Sequence, residues 1–406
     1  LIRERILQNN WLEEVCYTGN KVFSDATVDT VVLIINKSKT IDEIKLIDAL
    51  DFFIPKSNSV PNNYFEKYDN NISVGQQDSN SITDKIFSKE NVEANEYFQI
   101  FQGIVTGNND AFIFETIEDA KSKGIEQDLL YKMCHGRDIS KWSVNFTRYI
   151  AYSNSDLTIE NFLGFKNWLL GFQEQLNERR ECKNGVIPWY SLQWPREKEG
   201  FLKVPKILIQ NTRNERLQPR IVATIDNQGL FGTQGLNFII SNSDIDIYCF
   251  LALLNSKLIN YLFSTKFLNL AIKADYLKKL KFPLSIKDSK LNDLAKDITK
   301  NTDELNTINN SVQQLILSKF SLEKLSNKLQ DWHLIDYKDF LKELAKVKVK
   351  LSLSEESEWL QFFTEQKGKA QNFISLLEIQ NKELDNIVYS LYGLSEDEIK
   401  IVEDWK

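Results

Sequence analysis

The middle of the chain, residues 95–283, alternates short apolar runs with turn residues, a pattern typical of β-strands. The runs that we interpret as strands are 99–105, 111–114, 149–152, 207–210, 220–225 and 237–240. Two longer stretches, 163–180 and 245–263, have helical spacing instead. The pattern predicts an α+β domain of mixed composition with an antiparallel, twisted sheet.

A different pattern begins after residue 284, where apolar residues recur every seven positions. One series is Leu291, Ile298, Leu305 and Val312, with Leu294, Asn301, Ile308 and Leu315 between them; the other is Ala370, Leu377, Leu384 and Leu391. These heptads predict long, coiled-coil-like helices. Two such helices in one chain most simply pair antiparallel within the molecule, and pairing with another chain is the alternative.

The N-terminal part predicts the end of an α/β sheet. Residues 1–15 have helical spacing, and residues 31–35 form a fully apolar, β-branched run typical of a strand buried on both faces. Residues 57–84 are rich in Asn and Ser, which favours a linker or a long surface loop. We therefore divide the chain into the end of a sheet domain (1–40), a linker or insertion (41–94), the α+β domain (95–283) and a helical region (284–406).

Composition narrows the function classes. With 42% hydrophobic and 26% charged residues, the 406-residue chain has the composition of a soluble globular protein. No apolar run approaches the roughly 20 residues that cross a bilayer, and we see no signal peptide, so we expect a cytoplasmic protein with no membrane partner. The four scattered cysteines and two histidines argue against a metal centre. Because the first residue is Leu, we expect a piece of a longer protein.

Charge is unevenly distributed along the chain. The net charge is −7, yet residues 131–283 contain 21 Lys and Arg against 13 Asp and Glu, a balance of +8. The remainder contains 29 against 44, a balance of −15. A basic middle in an acidic chain is consistent with a surface that faces phosphate, and ordinary scatter of charge is the alternative.

Short motifs follow one another in and around this basic segment. They are Gly136-Arg137-Asp138-Ile139, Trp142, Pro205-Lys206-Ile207-Leu208 and Leu254-Asn255-Ser256-Lys257, preceded by a hairpin-like pattern over residues 100–114. The series resembles the C-terminal specificity domain of TaqI-like adenine DNA methyltransferases, which type IIG restriction-modification enzymes also contain. The resemblance implies that this part reads the sequence of double-stranded DNA and does no chemistry itself.

Both ends of the chain extend the resemblance. The segment from Val22-Phe23 to Thr30 resembles the last motif of adenine methyltransferase catalytic domains, in which the phenylalanine stacks on a flipped-out adenine. The resemblance implies that role for Phe23, and a core phenylalanine at the start of a strand is the alternative. Residues 384–399 resemble the terminus of type IIG enzymes, where Gly393 ends a helix and Ser395 with Glu398 forms a capping box.

The catalytic residues of that family are missing from the sequence. It contains neither a Gly-rich turn for S-adenosylmethionine nor an Asn-Pro-Pro-Tyr or Asp-Pro-Pro-Tyr tetrapeptide. We therefore expect no catalytic residue and no cofactor in this chain. The resemblance implies S-adenosylmethionine in the parent enzyme, in an N-terminal catalytic domain of the same polypeptide, and a nuclease domain is a further possibility.

Three polar clusters are candidates for contact with DNA. Amides of a glycine turn donate to phosphates or bases, Arg reads guanine, Lys neutralises phosphate and Asn favours adenine. The candidates are Thr106, Gly107, Asn108 and Asn109 in the first cluster, Arg137, Lys141 and Trp142 in the second, and Lys206, Asn211, Arg213, Asn214 and Arg216 in the third. Lys278 and Lys279 are further candidates for phosphate contact.

Structural interpretations of these clusters stay open at this stage. Arg137 with Asp138 is equally well a structural ion pair, and the polar loop after residue 210 is equally well a solvated loop. For the whole chain we expect the target-recognition half of an adenine methyltransferase. A stand-alone specificity subunit is one alternative, although it has no reason to carry the Phe23 motif. A helical interaction scaffold that does not bind nucleic acid is the other.

Overall fold

A computed structural model describes residues 2–19, 22–23, 30–49, 53–66, 72, 79–146, 148–213, 217–267 and 271–405. The first part begins with helix α1 (Ile2–Gln8) and continues with a four-stranded sheet. Its strands are β1 (Leu12–Gly19), β2 (Thr30–Ile35), β3 (Glu43–Asp48) and β4 (Lys56–Pro61), in the order β2-β1-β3-β4. The helix predicted over residues 1–15 therefore ends early, and Asn10 takes a positive φ of 53° just before β1 begins.

Two expectations for this part need correction. Strand β2 exists as predicted, but five of its six positions are exposed, and Val32 is 54% exposed. An apolar run shows what a strand can bury, whereas burial also needs an opposing layer, and β2 lies at the edge of its sheet. The predicted linker contains β3 and β4, and β3 pairs parallel with β1. A further helix, α2 (Ser79–Ile86), follows them.

The central sheet lies in the predicted α+β domain and is entirely antiparallel. It has the order β13-β12-β15-β6 and consists of β6 (Phe98–Gln102), β12 (Lys206–Gln210), β13 (Ala223–Asp226) and β15 (Leu236–Ser241). All five residues of β12 are buried because both faces are covered. Ile207 and Ile209 pack into one core, and Leu208 packs into another, as alternation along a strand requires.

A second sheet, ordered β14-β8-β11-β7, packs around the core that contains Leu208. Its strands are β7 (Ile113–Phe114), β8 (Leu130–Cys134), β11 (Arg148–Ala151) and β14 (Phe231–Gly232). Strands β9 (Ile139–Ser140) and β10 (Ser143–Val144) form a short hairpin. Strands β5 (Val92–Glu93) and β16 (Lys281–Phe282) form a separate two-stranded antiparallel sheet. Short helices connect them: α3 (Asn109–Phe112), α4 (Ile117–Ser122), α5 (Leu163–Leu170), α6 (Gln173–Asn177), α7 (Arg180–Lys183) and α8 (Lys198–Leu202).

The hairpin predicted over residues 100–114 is wrong. Strand β6 pairs with β15, which is far away in the sequence, and residues 109–112 form helix α3. Asn108 caps that helix, since its side chain accepts hydrogen bonds from the amides of Asp110 and Ala111. Of the predicted second strand, Ala111 and Phe112 thus pack in a helical turn, and only Ile113 and Phe114 form a strand, β7, which pairs with β11.

Helices α9 (Ile247–Asn255), α10 (Lys257–Lys266) and α11 (Ala274–Lys278) cover the other side of the central sheet. Ser256 separates the first two and caps α10 with its hydroxyl. Among the described residues no single helix is long and apolar enough to cross a bilayer. Only α9 and α10 together, bent by 59°, reach the length and apolarity of a span, and their apolar residues are buried in the core.

The C-terminal region is helical, as predicted. Its helices are α12 (Leu291–Lys319), α13 (Asn327–Gln330), α14 (Tyr337–Lys346), α15 (Leu353–Leu391) and α16 (Glu396–Asp404). The long helices α12 and α15 pack side by side within the chain, and Asn301 Nδ2 donates to Gln380 Oε1 at 3.0 Å. Val312 lies in the same core as Ala370, so the two helices run antiparallel.

The helical region and the α+β domain share a core. Leu384, Val388 and Tyr389 of α15 pack with the residues of α9 and α10. The end of α15 also has the predicted chemistry: Gly393 takes a φ of 62°, and Ser395 and Glu398 form a capping box for α16.

Candidate nucleic-acid interface

Several loops meet where strand β12 ends at Gln210. The side-chain amide of Gln210 donates to the carbonyls of Gly136 at 2.6 Å and Ile139 at 2.9 Å. Asn211 Nδ2 donates to the carbonyl of Gln234 at 2.9 Å, and the carbonyl of Asn211 accepts from the amide of Ile272 at 2.6 Å. We call this surface the Gln210 edge and define it as residues 135–138, 210–213, 233–235 and 271–273.

The Gln210 edge presents polar side chains to solvent. Arg137 is 69% exposed, and Thr212, Gln234 and Lys273 are exposed as well. A guanidinium offers two parallel donors to guanine, a hydroxyl or amide bonds other base edges, and an ammonium neutralises phosphate. The edge therefore combines the donor and acceptor types that read and hold a DNA duplex.

Arg137 projects outward because its neighbour holds the turn. The carboxylate of Asp138 accepts from the backbone amide of His135 at 2.7 Å, and the amide of Asp138 donates to the carbonyl of His135 at 3.0 Å. The Arg137–Asp138 ion pair is long, at 4.0 Å, so Asp138 stabilises the backbone far more than it holds the guanidinium. Burial and the nearby Arg148 lower the pKa of His135, which favours its neutral form at this turn.

Arg213 and Asn211 serve mainly to build the edge. Arg213 donates from Nε to the carbonyl of Pro219 at 2.8 Å and from Nη1 to Gln210 Oε1 at 3.2 Å, and its partial burial lowers its pKa. Through Gln210 it orients the amide that holds the turn carrying Arg137. Asn211 is buried. Asn214 and Arg216, the other candidates in this loop, lie outside the described residues.

The prediction that Lys206 contacts DNA is contradicted by its burial. Its ammonium forms a fully buried ion pair with Asp226 and also donates to the carbonyl of Phe201. Lys206 and Asp226 stand directly opposite each other in the β12–β13 ladder. Burial lowers the pKa of Lys206, and the carboxylate of Asp226 opposes that shift. The continuous apolar run from Ile207 to Ile209 directly after Lys206 was a signal that this segment lies inside.

The cluster at residues 106–109 makes structural contacts, and DNA contact by its exposed members, Gly107 and Asn109, stays a prediction. Thr106 is buried and donates from Oγ1 to Asn109 Oδ1 at 2.7 Å, while Asn108 caps α3. Gly107 has a φ of 77°, and a Cβ at this position would lie 2.6 Å from the Arg179 side chain. The buried guanidinium of Arg179 in turn donates to the carbonyl of Thr106 at 3.2 Å. Sequence analysis missed Arg179, because nothing local distinguishes it from its exposed neighbour Arg180.

Trp142 is buried against the helical region, and Lys141 beside it is half-buried. Trp142 is only 3% exposed and its Nε1 donates to Asn381 Oδ1 of α15 at 3.3 Å. Burial lowers the pKa of Lys141, and the carboxylate of Asp385, also in α15, counteracts the shift. The prediction that both side chains contact DNA is therefore wrong for Trp142 and not supported for Lys141.

The remaining candidates are not gathered at the Gln210 edge. Lys278 pairs with Asp275 at 3.2 Å, and it lies with Lys279 near the opposite end of β6, because the next residue, Leu280, accepts from the amide of Ala94. Phe23 is 57% exposed, but most of its motif lies outside the described residues. A phosphate contact for the lysines and base stacking for Phe23 stay predictions.

Comparison with known proteins agrees with the motif analysis. Residues 131–283 match the TaqI-like C-terminal specificity domain, and residues 285–388 match a domain of unknown function, DUF8810. The central part of the chain is thus a TaqI-like specificity domain, the target-recognition type of domain that the motifs predict. The Gln210 edge lies within the boundaries of that match.

Two solved structures resemble the chain over most of its length. One is the type IIL restriction-modification enzyme MmeI in complex with DNA, with 11% identity, a TM-score of 0.45 and coverage of 97% of this chain and 45% of that one. The other is the type IIG restriction endonuclease BpuSI, with 14% identity, a TM-score of 0.38 and coverage of 96% and 45%. This chain spans less than half the length of either enzyme, and similarity at this level carries no argument about function.

Proposed function

We propose that this chain recognises a duplex DNA sequence as the specificity part of an S-adenosylmethionine-dependent adenine-N6 DNA methyltransferase of the type IIG restriction-modification class. The observation that carries the proposal is the match of residues 131–283 to a TaqI-like specificity domain. It is supported by the Gln210 edge, where residues from four separate loops present cationic and amide side chains on one surface.

The Gln210 edge suggests a division of roles on the duplex. Arg137, whose side chain is 69% exposed, would donate to a guanine in the major groove. Thr212 and Gln234 would bond neighbouring base edges, and Lys273 would contact phosphate. Phosphate contacts position a protein and base contacts specify the sequence, so loss of Arg137 should change base preference as well as affinity.

The catalytic half would belong to another domain. Residues 1–95 contain only two glycines, Gly19 and Gly75, so they offer no glycine-rich turn to cradle S-adenosylmethionine. Residues 1–95 therefore do not fit that cofactor, and the proposal assigns no catalytic step to them. The exposed edge strand β2 supports a neighbouring domain, because five adjacent apolar residues at a sheet edge are suited to continuing the sheet or packing under another layer.

Binding to duplex DNA at two salt concentrations tests the proposal. Fluorescence anisotropy with a labelled random-sequence duplex should show binding at low salt that collapses at moderate salt, because each phosphate contact releases counterions. Arg137→Ala should weaken binding, whereas Arg5→Ala, which removes the same charge from the exposed face of α1, should change it little.

Absence of binding at both salt concentrations would mean that DNA recognition, as proposed, needs the catalytic domain as well. The measurement would then be repeated with the natural upstream sequence restored. Absence of binding in that longer protein would contradict the proposed function.

A further inference from the structure

The β9–β10 hairpin, residues 139–144, connects the Gln210 edge to the helical region. At its base lies the turn with Arg137, whose flanking carbonyls of Gly136 and Ile139 are held by Gln210. At its tip lie Lys141 and Trp142. The hairpin is short, since only Ser143 with Ser140 and Val144 with Ile139 are paired in it. Two pairs do not hold a hairpin rigidly by themselves.

The tip of the hairpin is held by both long helices. Trp142 Nε1 donates to Asn381 Oδ1 of α15 at 3.3 Å, and Asn306 Nδ2 of α12 donates to Ser143 Oγ at 2.8 Å. The amide of Asn381 is itself oriented, because its Nδ2 donates to the carbonyl of Leu377 one turn earlier at 2.7 Å. Its oxygen is therefore directed to the indole, so the side chain of Asn381 is already oriented to accept the bond from Trp142.

The backbone at the tip also depends on its surroundings. Trp142 has a φ of 72°, a conformation that costs free energy for a bulky residue and persists only where other contacts impose it. Its amide donates to the carbonyl of Ala223 at 3.1 Å, and its ring is buried in the core. Next to it, burial lowers the pKa of Lys141, and the charge of Asp385 opposes that shift; the buried carboxylate of Asp385 itself accepts from the amide of Lys257 at 2.8 Å. Helix α15 thus supplies both a hydrogen bond and a countercharge to the tip.

We propose that the helix pair α12–α15 positions Arg137 for DNA: by holding the tip of the β9–β10 hairpin through Asn381 and Asn306, it fixes the direction in which the Arg137 turn projects from the Gln210 edge. The inference rests on the proposed function and deepens it. Gln210 holds the base of the hairpin, and the amide of Trp142 bonds the carbonyl of Ala223 in the central sheet. The bonds from Trp142 to Asn381 and from Asn306 to Ser143 add two attachments at the tip, one to each long helix. Asn381 and Asn306 are positioning residues. Through them the helical region takes part in DNA recognition without touching DNA itself.

Hydrogen exchange in the free protein tests the mechanical half of this proposal. The double variant Asn306→Ala/Asn381→Ala should exchange the amides of residues 136–144 roughly tenfold faster than the wild type, because local opening of the hairpin becomes easier. Gln380→Ala is the matched control, since Gln380 bonds Asn301 across the same helix pair. Trp142→Phe, which removes the indole N–H and retains an aromatic ring, should reproduce part of the effect if the double variant folds poorly.

DNA binding tests the functional half through a mutant cycle. Arg137→Ala should weaken binding about fivefold or more in the wild-type background. In the Asn306→Ala/Asn381→Ala background it should have less than about half that effect, because a misdirected guanidinium contributes little. A merely structural role of the helix pair would leave the effect of Arg137→Ala equal in both backgrounds.

The outcomes separate the two proposals. Unchanged exchange over residues 136–144, or equal effects of Arg137→Ala in the two backgrounds, overturns the positioning role and leaves DNA recognition intact. Faster exchange together with a reduced effect of Arg137→Ala supports it. If the wild-type protein with its upstream sequence restored binds no duplex, the proposed function fails and positioning for DNA fails with it, whatever the exchange shows.

Discussion

Arg137 and Lys141 are cations at the two ends of one short hairpin, and their surroundings are opposite. Arg137 projects from the Gln210 edge and its side chain is 69% exposed, whereas Lys141 is half-buried, its pKa is lowered by burial, and the charge of Asp385 in α15 opposes that shift. In the sequence the two residues look alike, since each stands in a polar motif and suits contact with phosphate or a base. The comparison teaches that a cation in such a motif is available to a ligand only if the fold leaves it exposed.

The same contrast recurs within the central sheet. Lys206 and Lys273 both belong to the basic segment, yet Lys206 is fully buried with Asp226 and Lys273 is exposed at the Gln210 edge. Part of the positive balance of residues 131–283 therefore stabilises the interior. Only the exposed cations of this segment are available to a phosphate backbone.

The largest expected effect concerns the buried cation. Lys206→Ala leaves the carboxylate of Asp226 buried without its countercharge, which should cost about 3–5 kcal/mol of unfolding free energy. Lys273→Ala, the exposed counterpart, should cost less than about 0.5 kcal/mol. Urea denaturation followed by circular dichroism measures both, and equal stability of the two variants would contradict the buried role of Lys206.

The next effect concerns the tip of the hairpin. Trp142→Ala should lower the unfolding free energy by about 3 kcal/mol, because it opens a cavity beside α15 and removes the bond to Asn381. Arg137→Ala at the other end should leave stability within about 0.5 kcal/mol of the wild type. If Arg137→Ala lowered the unfolding free energy as well, Arg137 would contribute to the stability of the fold, contrary to its exposure.

Arg137 should instead affect recognition. Its replacement by Ala should weaken binding to a specific duplex by about 1–3 kcal/mol and relax preference at one base pair, and Arg137→Lys should retain charge and lose that preference. Selection of bound duplexes from a randomised library, followed by sequencing, measures the preference. A uniform loss across all sequences would assign Arg137 to a phosphate.

The smallest effect is expected in strand β2. Val32→Thr should change the stability of this chain by less than about 0.5 kcal/mol, because Val32 is already 54% exposed. Ile207→Thr in β12 is the matched comparison, and it should cost several times more because Ile207 is fully buried. Thermal unfolding of the two variants checks whether similar apolar runs differ in burial as the structure describes.

Much of the fold was predictable because its signals are local. The strand around residues 207–210, the two long helices of the C-terminal region and the capping box at Ser395 all depend on residues a few positions apart. The specificity domain was identified from short ordered motifs for the same reason. The prediction of a hairpin over residues 100–114 failed because its first strand, β6, pairs with β15, a strand that is distant in the sequence.

The candidate site was predictable only in part. The sequence by itself determined much of the secondary structure, the two long C-terminal helices and the class of the central domain, because these follow from periodicity, capping and short motifs. Which cations reach the surface was decided by the tertiary structure alone. Trp142 bonds a residue 239 positions away, and Gln210 bonds Gly136 across 74 positions. Burial and hydrogen bonding depend on such distant partners, and no local pattern contains them.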